Sequence, residues 1–93
     1  MDENQINEFI EKHNVKKQIE KSFVKILSAN CIEDLDVKDK NIFIDIHQFE
    51  YKKTDFNFHS FGTPIKDNNK IIGLFALIFT DEAKIIDEFF IID

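Results

Sequence analysis

Between Ile71 and Thr80 the chain reads IIGLFALIFT, and a strand drawn through it is apolar on both sides. Phe75, Leu77 and Phe79 fall on one face, Leu74, Ala76 and Ile78 on the other, because side chains alternate across a strand. Strands of this kind occur where both faces of a sheet are covered. The rest of the chain must supply two layers of cover or leave one face for something else. No other stretch limits the fold as tightly.

The N-terminal third has a different period. Asp2 followed by Gln5 reads as a capping box that opens a helix carrying Ile6, Phe9 and Ile10 on one stripe. Val15, Ile19, Phe23, Ile26 and Leu27 continue at helical spacing but out of phase with the first set. At about 100° per residue the two stripes of one continuous helix would point opposite ways. This predicts a break near His13-Asn14, with Asn14 capping a second helix to about Ala29. Asn30 suits its end, since Asn tolerates a left-handed conformation.

The stretch CIEDLDVKDK has no period and reads as a loop. Four extended segments follow, at about 41–53, 55–61, 71–80 and 84–92, with FGTPIKDNN as a connection and TDEAK as a short hairpin turn. The expected fold is α+β in the order ααββββ. Two N-terminal helices pack on one face of a four-stranded antiparallel meander, in a single domain over 1–93. Two helices of this length cover one face of such a sheet and hardly two. The second face is therefore expected to curve round a pocket, to join a second copy of the chain, or to meet a different protein.

Composition narrows the function. The chain has 93 residues, 12 Lys, no Arg and 18 acids, a formal charge of −6. Residues 1–30 hold five Lys and five acids, so the whole −6 falls in 31–93, which hold seven Lys and thirteen acids. Arg is the side chain best built to grip phosphate. An acidic chain without it is expected to bind neither nucleic acid nor an anionic membrane. The opening MDENQINEF lacks a basic and then apolar leader pattern, and Cys31 is the one cysteine. Cytoplasmic residence is the expectation.

Candidate chemistry is sparse. Asp45 and His47 share one face of the first extended segment, and His59 on the next could be a cross-strand neighbour. A carboxylate that orients an imidazole is a general-base arrangement, and the three could also hold a divalent ion. The competing reading makes them polar members of a partly wet face. No cofactor or metal is expected. The acidic run Glu33, Asp34, Asp36 and Asp39 lacks the Gly and terminal Glu of a calcium loop. It reads as solvated loop or as an anionic dock for a basic partner. Asp55, Asp81, Glu82, Asp87 and Glu88 would extend that field. Phe56, Phe58 and Phe61, set beside Gly62 and Pro64, read as a lid or interface edge rather than a central strand.

The closing segment GLFALIFTDEAKIIDEFFIID, residues 73–93, resembles the last hairpin of NTF2-like and cystatin-like α+β domains. Ala83 stands where such turns usually place Gly. The resemblance implies a pocket domain that binds a small ligand or catalyses with Asp45 and His47. The leading expectation from the residues is different: a non-enzymatic immunity or inhibitor protein that neutralises a basic toxin such as a nuclease. Glu33, Asp34, Asp36, Asp39 and Asp55 would supply charge, and Phe49, Tyr51, Phe56 and Phe58 the anchors. A homodimer joined through the sheet face is the third alternative.

Overall fold

Asp2 opens the first helix as the sequence anticipates. Its Oδ1 accepts from the Gln5 N–H at 2.9 Å, and Gln5 Oε1 accepts from the Asp2 N–H at 3.0 Å. The computed structural model describes residues 1–29 and 42–93. The elements are α1 (Glu3–Lys12), α2 (Val15–Ala29), β1 (Phe43–Ile44), β2 (Glu50–Lys53), β3 (His59–Asp67), β4 (Lys70–Phe79) and β5 (Ile85–Ile92). The class is α+β with an antiparallel sheet. Asn30 and Cys31 lie outside the described residues.

α1 stops at His13, and Asn14 takes a left-handed φ of 50°, a conformation that Asn reaches more easily than most residues. Its carbonyl accepts the Gln18 N–H at 3.0 Å, and the Gln18 side-chain amide donates to the His13 carbonyl at 2.6 Å. The break reverses the phase of the apolar stripe. Phe9 from α1 and Val15, Ile19 and Phe23 from α2 therefore enter one core.

The sheet has five strands among the described residues, not four. The segment expected at 41–53 is two short strands, because Asp45 makes a turn within it. The Gln48 N–H donates to the Asp45 carbonyl at 3.0 Å, and the His47 N–H donates to Asp45 Oδ1 at 3.1 Å. An Asp side chain that imitates a backbone acceptor competes with strand pairing in this way.

The second correction is larger. Gly62, Thr63 and Pro64, expected in a connection, lie inside β3, and β3 is the central strand. On one side it pairs with β4. On the other it pairs first with β2, from Lys53↔His59 to Glu50↔Gly62, and then with β1 at Ile44↔Ile65 and Phe43↔Lys66. Pro64 sits where the partner changes. Its carbonyl accepts from the Asp45 N–H at 3.1 Å, so its ring nitrogen faces that same seam, and β4 loses no hydrogen bond.

Three hairpins close the sheet by two devices. Asn68 and Asn69, with φ of 50° and 67°, make a two-residue turn between β3 and β4. Thr54–Phe58 and Thr80–Lys84 use a second device twice. In each the Thr N–H donates to the carbonyl four residues on, and the Thr hydroxyl accepts that residue's N–H at 3.1 Å. The fourth residue, Asn57 in one and Ala83 in the other, is left-handed, with φ of 61° and 63°. TDEAK is thus a hairpin turn as anticipated, with Ala in the position that favours Gly.

His59, Phe61, Thr63 and Ile65 of β3 and Phe75, Leu77 and Phe79 of β4 face the helices and are buried. The Phe61 ring centroid lies 5.6 Å from Phe9, 5.8 Å from Phe79 and 5.3 Å from Tyr51. Phe23 meets Phe75 at 5.4 Å and Phe90 at 6.0 Å.

Two substitutions test this packing. A Cβ at Gly73 would lie 2.0 Å from the Ile91 carbonyl oxygen, whereas one at Gly62 meets only the movable Leu74 side chain at 3.2 Å. Gly73→Ala is expected to cost about 1–3 kcal/mol, the usual penalty of overpacking, and Gly62→Ala less, read as shifts in the urea midpoint. The Thr63 hydroxyl is buried without a hydrogen-bond partner among the described residues. Thr63→Val should therefore raise the unfolding free energy by about 1 kcal/mol by removing an unsatisfied polar atom; a loss instead would show that the hydroxyl has a partner in solution.

Candidate functional site

Both helices lie on one side of the sheet, and the other side carries a further set of apolar side chains. β4 turns Leu74, Ala76 and Ile78 to that side, and the register places Phe89 beside Ala76 and Ile91 beside Leu74. These five side chains line a shallow hollow of about 390 Å3, with Lys52, Lys53 and Asp55 in its wall. Phe89 and Ile91 remain 43% and 49% exposed. A second hollow of about 300 Å3 shares Leu74 and continues past Gly62 and Pro64 to Ile71, itself 54% exposed. The face away from the helices is open only in part: Phe89 and Ile91 are exposed, Leu74 is half-buried, and Ala76 and Ile78 are buried.

The turn between β2 and β3 holds Phe56 out at 80% exposure beside Asp55, which is also exposed. Phe56 is thus a surface ring rather than core, while Phe58 is half-buried and Phe61 is at the centre of the core. Phe49 and Tyr51 are half-buried and face α1; of the four rings expected as anchors, Phe56 alone stands fully in solvent. Glu33, Asp34, Asp36 and Asp39 lie outside the described residues.

The histidine that the fold engages is His59. Its ring is 4% exposed, against Phe9 at 5.4 Å. Nε2 lies 2.6 Å from Asp81 Oδ1, and Nδ1 lies 2.7 Å from the Tyr51 hydroxyl. A carboxylate can only accept, so Nε2–H donates to Asp81; Nδ1 accepts the Tyr51 O–H when the ring is neutral and donates to the Tyr51 oxygen when it is protonated. The series Asp81–His59–Tyr51 could move a proton off the phenol. Its surroundings oppose that: burial, and then the negative charge of Asp81, hold the Tyr51 hydroxyl above the ordinary tyrosine range. The network instead fastens the β4–β5 turn to β3 and β2. In the sequence Asp81 belongs to the acidic field, and no local spacing pairs it with His59. The pairing joins residues 22 positions apart, and only the strand register brings them together.

Asp45 and His47 have other partners. Asp45 Oδ2 accepts from Lys66 Nζ at 2.9 Å. The Lys66 hydrogen bond, and next the His47 N–H, lower its carboxyl from the ordinary value. This pairing supports the fold above the usual carboxylate range and is lost as pH falls through the depressed value. The His47 side chain lines a cleft of about 500 Å3 between α1 and β2, with Asn7, Glu11, Lys16, Phe49 and Tyr51. Of the three residues weighed for catalysis, Asp45 pairs with Lys66 and accepts the His47 backbone N–H, whereas His59 is bound to Asp81 and Tyr51. Among the described residues no group of three or more His, Cys, Asp or Glu side chains is placed to hold a metal ion, and no helix is long and apolar enough to cross a membrane.

Tyr51 is the one tyrosine in the chain, so phenolate absorbance reports it alone. An unfolded tyrosine ionises near pH 10. Above that pH the unfolded chain gives up a proton that the folded chain keeps, so stability falls as pH rises through the raised folded value. Spectroscopic titration should place the folded transition above that of the urea-unfolded chain. Tyr51→Phe should cost about 1 kcal/mol at neutral pH through the lost hydrogen bond and should flatten the alkaline loss. Coincident titrations of folded and unfolded chain would refute the burial of this hydroxyl.

Comparison with known proteins finds no protein family, no curated protein and no solved structure that matches this chain, so the functional argument rests on the geometry described above.

Proposed function

We propose that this chain is a non-enzymatic protein-binding domain that occludes a basic partner, most concretely an immunity or inhibitor protein that neutralises a toxin such as a nuclease. The observation that carries this reading is the apolar side of the sheet away from the helices, where exposed Phe89 and Ile91 adjoin half-buried Leu74 and the buried Ala76 and Ile78. Exposed apolar side chains grouped on one face of a small domain mark a place where something binds, whereas singly scattered ones do not.

Charge selects the kind of partner. The net −6 belongs to residues 31–93, which include the whole sheet. Two copies meeting through that half bring like charge together, whereas a basic protein gains attraction and a faster encounter. Phe56 on its turn, with Asp55 beside it, has the form of an interface anchor: a rigid ring that gains much by desolvation and loses little entropy. The Asp81–His59–Tyr51 network keeps the turn at the same end of the sheet in place. Glu33, Asp34, Asp36 and Asp39 would add to the anionic field.

Tagged chain expressed in its native cells tests the reading, with Phe56→Ala, Phe89→Asp and the double reversal Asp34→Lys/Asp36→Lys in parallel. The expected result is one basic protein recovered in stoichiometric amount. Its affinity, measured with both purified proteins, should fall about tenfold or more for Phe56→Ala and Phe89→Asp, the scale of a lost interface anchor. The charge reversal should lower the association rate and its salt dependence. Variants that bind as well as wild type would overturn the proposal. So would a chain that recovers no partner and forms dimers by light scattering as concentration rises.

A further inference from the structure

The geometry points to the outer edge of β5 as a site of strand addition, where an extended segment of the basic partner, carrying Lys or Arg, pairs with Glu88–Ile92. The inference rests on the reading above and adds the mode of docking.

Among the described residues β5 ends the sheet, and nothing pairs with its far side. Asp93 donates its N–H to the Ile72 carbonyl at 2.8 Å, and Gly73 pairs with Ile92. Peptide groups in an antiparallel pair alternate between the two sides of a strand. Phe89, Ile91 and Asp93 therefore direct theirs to β4, and Glu88, Phe90 and Ile92 direct theirs outward. The Glu88 N–H agrees with this phase, since it donates to its neighbour's Asp87 Oδ1 at 2.9 Å and not to β4.

Natural edges are blunted by charged side chains, Lys above all, by Pro, by short length or by bulges, and here the only charges, Asp87 and Glu88, are both negative. Ile85–Ile92 has eight residues, no Lys and no Pro, and its register irregularity lies at the Ile85 end, away from the proposed site. Among the described residues there is room on both faces for the side chains of an added strand. On the open side they would extend the surface of Phe89 and Ile91. On the helix side a groove of about 250 Å3 runs between α2 and β5, lined by Ser22, Lys25, Ile26, Ala29 and Glu88.

Charge decides between a second copy and a basic segment. IIDEFFII contains two acids and no cation. A two-fold pairing of β5 with itself sets each acid against another acid or against Phe and Ile, and like charges directly opposite are destabilising. A strand with Lys or Arg near Asp87 and Glu88 neutralises both. Asp87 would release the Glu88 N–H to the incoming carbonyl and turn its carboxylate to the cation.

A short synthetic peptide alternating lysine and valine is the probe, with a glutamate–valine peptide as control and hydrogen exchange of individual amides as the readout. The lysine peptide should slow exchange at Phe90 and Ile92 and bind about tenfold or more tightly than the control, as two reversed cross-strand charge contacts imply. Glu88→Pro removes an outward N–H and leaves the β4 ladder intact; it should abolish the protection. If that variant unfolds, as circular dichroism would show, the pair Asp87→Lys/Glu88→Lys should reverse the peptide preference. Equal binding of both peptides, no binding at millimolar peptide, or binding without protection of Phe90 and Ile92 would overturn strand addition. A basic partner recovered equally by wild type and the folded edge variant, but lost by Phe89→Asp, would do the same and leave the sheet-face reading standing.

Discussion

The rest of the structure depends on the contact of Phe61 with both layers. Its ring meets Phe9 of the first helix at 5.6 Å, Phe79 of the neighbouring strand at 5.8 Å and Tyr51 of the other neighbour at 5.3 Å. A small domain has few side chains that can bridge layers, so rings carry a large share of the buried area. Because Phe61 lies on the central strand, the same contact sets which face of the sheet is inner. The opposite face follows by alternation.

That choice of inner face has a consequence for function. Helices of ten and fifteen residues, connected by the left-handed Asn14, fold back onto one side of the sheet. They do not reach the other, where Phe89 and Ile91 remain in solvent. The apolar outer face and the edge of β5 adjoin, since Phe89 and Ile91 belong to both. A partner that pairs with the edge would also gain cover for the face, which makes one binding mode of two separate features. The buried histidine fits the same picture. It joins a turn to the core, and its phenol partner is kept protonated by its surroundings.

Parts of this were legible in the residues. The capping box, the break at His13-Asn14, the two apolar faces of 71–80 and the turn at TDEAK depend on short-range spacing, and each appears as anticipated. Ala83 was recognisable as occupying a glycine-like position, and its φ is 63°. Other parts misled. Pro64 with Gly62 reads locally as a connection, yet Pro is harmless where a strand exchanges one neighbour for another. Asp45 reads as a strand residue, yet its carboxylate makes a turn and then pairs with Lys66, 21 positions away. Phe61 reads as part of a lid or interface edge, yet it lies on β3 fully buried in the core.

The sequence by itself determined the periods, the helix start and break, the location of negative charge and the surplus of apolar strand surface. All of these follow from the order of neighbouring side chains. Only the tertiary structure decided that β3 is central, that His59 meets Asp81 and Tyr51, and that β5 stands at the edge with Glu88, Phe90 and Ile92 facing out. The reason is physical: strand order and register are set by contacts between residues far apart in the chain, and local spacing holds no record of which strand lies beside which.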